Sequence, residues 1–136
     1  LNNSKAHTQL VDDLLFHLGQ IPGVRAFPRR VGLAVPVVFQ NGKPVPISER
    51  PIMFGIKGEA DIQGWICIES IHVNGQLMKL SKPVALCFAV EVKTGTGKLS
   101  KDQMNWRDMF IRLGGTYVEG RDVNVTCQAV KRMFQW

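Results

Sequence analysis

Asp61, Glu91 and Lys93 are the residues whose types and spacing suit hydrolytic chemistry. Asp61 stands in Gly58-Glu59-Ala60-Asp61-Ile62, at the start of one predicted strand. Glu91 and Lys93 stand at the end of another, Val84-Ala85-Leu86-Cys87-Phe88-Ala89-Val90-Glu91-Val92-Lys93. If those strands are sheet neighbours, the two carboxylates converge on one hard cation. Mg²⁺ takes oxygen ligands and keeps several waters, so one or two carboxylates are enough. Such a cation polarises a phosphate and acidifies a bound water. Lys93 lies two residues from Glu91 on the same strand face, where an amine stabilises charge developing on the phosphate or orients the nucleophile. The competing reading is that Glu91 and Lys93 mark the strand running out into solvent. The motif is short, so the elements around it decide between the two.

The strand holding Glu91 has two unlike faces. Val84, Leu86, Phe88, Val90 and Val92 fall on one, and Ala85, Cys87, Ala89, Glu91 and Lys93 on the other. A strand apolar on both faces is covered on both faces. Before it, residues 4 to 18 predict a helix, with Leu10, Leu14, Leu15 and Leu18 at helical spacing and Ser4 or Thr8 as cap. Val35 to Gln40 and Lys43 to Ile47 read as strands joined by Asn41-Gly42, a tight-turn signal. Residues 48 to 58 read as a loop. Ala60 to Val73 is a strand region, Asn74-Gly75 a second hairpin signal, and Gln76 to Leu80 the returning arm, broken at Lys82-Pro83. Ser100-Lys101-Asp102-Gln103 fits a capping box. The helix it opens draws its apolar surface from Met104, Trp106, Met109, Phe110, Ile111 and Leu113, and stops at Gly114-Gly115. Thr116 to Glu119 predicts a strand, and Asp122 caps a last helix through Phe134. A strand–helix–strand unit over 84 to 119 implies some parallel pairing. The order predicts a mixed α/β sheet with helices on both faces, in one domain spanning residues 1–136.

The chain carries a net charge of +6 and a pI near 9.6, a balance that favours a polyanionic partner, nucleic acid first. Many soluble domains carry such charge for solubility alone. No apolar run approaches a membrane span. Cys67, Cys87 and Cys127 are odd in number and widely spaced, so they predict no disulfide framework and favour a reducing, intracellular compartment. His7, His17 and His72 lack ligand-pair spacing, which disfavours zinc. The amino terminus has neither a methionine nor a signal pattern and reads as a processed or trimmed end.

Four segments together resemble one family. They are Gly58-Glu59-Ala60-Asp61-Ile62-Gln63-Gly64, Val90-Glu91-Val92-Lys93-Thr94, Gly97-Lys98-Leu99-Ser100-Lys101-Asp102-Gln103 and Leu113-Gly114-Gly115-Thr116-Tyr117-Val118. In order and spacing they resemble the VRR-NUC nucleases, a branch of the PD-(D/E)XK superfamily. The resemblance implies a restriction-endonuclease-like central mixed β-sheet flanked by α-helices. It implies Mg²⁺- or Mn²⁺-dependent hydrolysis of DNA phosphodiester bonds. By that resemblance Asp61 and Glu91 are metal ligands, the Val92 carbonyl a third, Lys93 the catalytic lysine and Gln103 a glutamine beside the site. Gln103 also suits a purely capping role, and both roles are compatible. Arg29 and Arg30, in a segment similar to the family's Arg-x-x-Gly stretch, are candidate DNA contacts or ordinary surface arginines. Lys98 and Lys101 join them as DNA-binding candidates. Free-standing members resemble homodimers that cut branched DNA such as four-way junctions, in bacterial or phage-infected cytoplasm. A DNA-binding module without activity and an exonuclease are the alternatives.

Two departures stand out. The family's first helix offers a glutamate toward the metal, and that position falls on Gln9, with Asp12 or Asp13 as substitutes. Asp61 and Glu91 are 30 residues apart, longer than in compact members, and the Asn74-Gly75 hairpin accounts for the excess as an arm or a passive insertion. Gly95-Thr96-Gly97-Lys98 fails as a phosphate-binding loop, because Val92 and Leu99 occupy the positions of its first glycine and its hydroxyl residue. Nothing marks a cysteine as activated. Trp65, Trp106 and Trp136 are candidates for stacking on bases, although Trp106 on an apolar helix suits a core.

Overall fold

In the computed structural model, residues 2–133 are described, together with the side chains of residues 4–133. The element order is α1 (Asn2–Gly19), β1 (Val24–Pro28), β2 (Gly32–Ala34), β3 (Val37–Gln40), β4 (Lys43–Pro46), β5 (Ile52–Phe54), β6 (Ile62–Val73), β7 (Gln76–Val92), α2 (Lys101–Arg112), β8 (Thr116–Gly120) and α3 (Val123–Arg132). The main sheet has the order β1-β6-β7-β8. β1, β6 and β7 pair antiparallel, and β7 pairs β8 in parallel across the α2 crossover. The architecture is therefore mixed α/β, a mixed sheet flanked by helices.

The two faces of β7 explain where the helices go. Phe88, Val90 and Val92 join Ile62, Ile66 and Ile68 of β6 in a core closed by Leu14 and Leu18 of α1 and Val130 of α3. Only the end of the small face is covered by α2, where Trp106 packs on Ala60 and Ala89, while Ala85 and Cys87 stay exposed. Alanines there leave room for one bulky ring against the sheet. Met104, Ile111 and Leu113, expected to join that apolar surface, are exposed. Only Trp106, Met109 and Phe110 of α2 face the sheet cluster.

Both Asn-Gly hairpins form. Asn41 and Asn74 have φ of 50° and 51° and the glycines after them 74° and 79°, the left-handed pair that a two-residue turn needs. The first joins β3 to β4 and the second joins β6 to β7. Three expectations are corrected. Pro83 does not end the returning arm, because β7 runs unbroken through it. The register shifts between Ile68 and Ser70, whose partners are Val84 and Lys79, so Pro83 sits in an irregularity where no ladder bond needs its missing N–H. The 48–58 loop contains β5, which pairs β2. Thr8 does not cap α1. Its hydroxyl donates to the Ser4 carbonyl within a helix that begins at Asn2. Asp122 caps α3 by accepting from the Val125 N–H, and Ser100 and Gln103 form the expected capping box on α2. Phe134 and Trp136 lie outside the described residues.

Candidate active site

The β6–β7 register sets Ile62 opposite Val90, which brings Asp61 and Glu91 together at the open end of the hairpin. The Val92 N–H donates to Asp61 Oδ2 at 2.8 Å. This bond ties the entry of one strand to the exit of the other. Gly58, three residues earlier, has φ of +84° and lies so close to the Asp102 carbonyl that a Cβ would collide with it. Glycine there lets the segment carrying Asp61 press against the first turn of α2.

Glu91 is 2% exposed. Its Oε1 faces Lys93 Nζ at 2.9 Å and accepts from Gln103 Nε2. Gln103 Oε1 in turn accepts from Lys93 Nζ at 2.9 Å and from the Ser100 N–H at 2.8 Å. Gln103 thus caps α2 and at the same time bonds both Glu91 and Lys93. Glu91 Oε2 is buried with no hydrogen-bond partner. Burial raises the Glu91 carboxyl above its ordinary range. Lys93 opposes the shift, and the negative charge of Asp61 adds to it.

Asp61, Glu91, Val92, Lys93, Gln103 and the 94–97 loop line one open cleft of about 590 Å³. His7 of α1 lines it too, with Nε2 at 3.3 Å from Asp61 Oδ2. Two carboxylates side by side, one with an orphaned buried oxygen, fit a hard divalent cation. Val92, whose carbonyl is the expected third ligand, belongs to the same wall. Among the described residues no three His, Cys, Asp or Glu side chains are arranged as a ready metal cluster.

Gln9 is corrected. It is exposed and donates to Asp13 Oδ1 at 2.9 Å, outside the cleft. Residues two apart on a helix point in very different directions, so His7 and Gln9 cannot both face Asp61. Of the proposed substitutes, Asp13 is engaged by Gln9. Asp12 lines a neighbouring cleft with His7, Arg29, Arg30 and Asp61. An isolated histidine on a helix carries no spacing signal, so the sequence alone does not single out His7.

Another cleft of about 510 Å³ reaches Asp61 from the other side, lined by Arg29, Arg30, Lys57 and Asp102 among others. The Arg29 guanidinium is held by Glu59 Oε1 at 3.0 Å, and the backbone N–H of Arg29 donates to the Asp61 carbonyl at 2.6 Å. Glu59 also accepts from Gln63 Nε2 and the Ile56 N–H. Arg29 therefore braces the Asp61 segment with its charge matched. Arg30 lines the same cleft with no ion-pair partner among the described residues. Lys98 and Lys101 are exposed on the segment entering α2. A missed residue, Arg121, pins the 94–97 loop by donating to the carbonyls of Gly95 at 3.2 Å and Gly97 at 2.7 Å. No spacing rule links a residue after β8 to a loop after β7.

No family model, curated protein or solved structure matches the chain. No helix among the described residues is long and apolar enough to cross a membrane.

Proposed function

We propose that this chain is a metal-dependent DNA endonuclease of the restriction-endonuclease-like type, similar to the VRR-NUC nucleases. The observation that carries the reading is Glu91. Its carboxylate is buried, held at one oxygen by Lys93 and Gln103, and orphaned at the other beside Asp61. A structural ion pair has no use for that second oxygen, because an unsatisfied buried acceptor costs about 1–3 kcal/mol. Asp61 and Glu91 would hold Mg²⁺ or Mn²⁺, with the Val92 carbonyl a third ligand. When bound, that cation supplies polarisation of a phosphate and a more acidic water. Lys93 is 15% exposed at its side chain and holds its ammonium beside Glu91, where it meets charge developing on the phosphate. Gln103 fixes both partners of that pair. Arg30, Lys98 and Lys101 present cations to the flanking backbone.

The favoured substrate is branched DNA such as a four-way junction, cut by a homodimer, since a two-fold pair of sites suits symmetric strands. The test is cleavage of a labelled junction beside linear duplex and single strand, in Mg²⁺, Mn²⁺ and EDTA. Metal-dependent cutting of the junction alone supports both parts of the reading. Cutting of every substrate keeps the chemistry and discards the selectivity. Equal cutting of circular and linear duplex separates an endonuclease from an exonuclease. A second reading, DNA binding without cleavage, draws on the α1 position. There the side chain against Asp61 is His7, not a carboxylate, and Gln9, on which the family's glutamate position falls, is neutral. Binding with no cutting in either metal favours it.

A further inference from the structure

We infer that Phe27 and Trp65 form a stacking site for an unpaired nucleobase, and so that the substrate strand is unpaired close to the cut. Phe27 of β1 and Trp65 of β6 lie ring to ring, centroids 5.0 Å apart and planes at 48°. Both are 44% exposed. They wall a cleft of about 260 Å³ with Cys87 and Phe110. Trp106 shows what a structural tryptophan of this chain looks like. It is 7% exposed and stacked on Phe110 against the sheet. The Phe27–Trp65 pair lies on sheet face that α2 leaves open.

Position and charge select a nucleic acid as the occupant. Alternation puts Asp61, Gln63 and Trp65 on one side of the chain, so Trp65 stands roughly 13 Å along the strand from Asp61. Arg29 lines both the aromatic cleft and the cleft that reaches Asp61, so the two form one continuous surface. Arg25 is the register partner of Trp65. It is exposed, and its guanidinium bonds only the Val24 carbonyl, with no carboxylate partner among the described residues. A π-face beside an unmatched cation suits a base together with its phosphate. A base inside an intact duplex is already stacked and cannot reach such a wall without flipping. The occupant therefore belongs to a frayed, flapped or branched strand.

This inference rests on the nuclease reading, and its test separates the two. Binding of short fluorescent oligothymidylate, and of an abasic strand of equal length, is measured by anisotropy in EDTA for the whole chain, Trp65→Ala and Trp65→Phe. Wild type should bind oligothymidylate about 5-fold or more tighter than the abasic strand. Trp65→Ala should erase that preference and Trp65→Phe keep most of it. Equal binding of the two strands by wild type, or a folded Trp65→Ala that keeps the preference, overturns the site. Should Trp65→Ala not fold, quenching of tryptophan emission by oligothymidylate decides: it should fall in Trp65→Phe, and unchanged quenching overturns the site. A Trp65→Ala chain that loses self-association but keeps the base preference also overturns it, by giving the pair to a subunit contact. Metal-dependent cleavage without a base preference removes the stacking site alone. A Trp65-dependent base preference without cleavage in either metal removes the nuclease reading alone.

Discussion

Gln103 donates its amide to the same Glu91 oxygen that Lys93 approaches, while its own carbonyl accepts from Lys93. A side chain of the first turn of α2 thereby links the carboxylate near the end of β7 to the amine just beyond it. The same amide carbonyl caps the helix through the Ser100 N–H, so helix start and site geometry depend on one residue.

Substitution within this triangle should separate chemistry from folding. Glu91→Ala and Lys93→Ala are expected to lower cleavage by about 10²-fold or more. Gln103→Ala should lower cleavage less, by about tenfold, because it loosens the pair without removing either charge. It should also lower Tm by a few degrees, since losing a cap costs about 1 kcal/mol. Single-turnover rates and thermal unfolding of the three variants check this.

The α1 face yields a contrast. Gln9→Glu should leave cleavage and metal preference unchanged, because Gln9 faces Asp13 outside the cleft. It should cost about 0.2–0.5 kcal/mol by setting two carboxylates four residues apart on a helix. His7→Glu puts a carboxylate beside Asp61 and should shift the Mg²⁺ and Mn²⁺ concentration dependence. Titrating both metals against both variants is the measurement.

Acidification should act through Glu91. Burial lifts its folded-state pKa above the ordinary 4.5. Between the unfolded and folded values the native protein holds more protons than the unfolded chain, so the contribution of this group to stability falls as pH rises through that window. A cation that displaces the proton reverses the penalty. The rise in Tm on adding Mn²⁺ should therefore grow from mildly acidic to neutral pH. Glu91→Gln should abolish that growth. Thermal unfolding in Mn²⁺ and EDTA across a pH series tests it.

Salt should weaken DNA binding steeply. Arg30, Lys98 and Lys101 would displace counterions from phosphates, so the logarithm of affinity should fall linearly with the logarithm of salt. Removing one of these lysines should reduce the slope by about one. A flat response would mean the cations do not track a backbone.

Much of this arrangement was legible because its signals are local. Alternation along 84–92 gave the two faces, Asn74-Gly75 gave the hairpin that sets Asp61 beside Glu91, and Ser100 and Gln103 gave the start of α2. What escaped depends on contacts between residues far apart in the chain. His7 meets Asp61 across 54 positions, and Arg121 pins Gly97 across 24. Neither leaves a pattern in composition or period. Pro83 misled because proline normally stops a strand, whereas a register irregularity removed the need for its N–H. β5 escaped because it is only three residues long and wholly exposed, with no buried face to impose alternation.

The long β6–β7 ribbon has a consequence for how the chain tolerates change. The carboxylates sit at its open end and the Asn74-Gly75 turn at its far tip. Cutting residues in matched pairs from the two arms, beyond Ile68 and Val84, would shorten the ribbon and leave every partner at its base where it is. Cutting one residue from a single arm between Ile62 and Ile68 would shift that arm by one and turn its side chains to the opposite face. The separation of Asp61 and Glu91 along the chain is thus free to drift, provided the change falls beyond Ile68 and Val84, where the two arms already differ in length across the register shift.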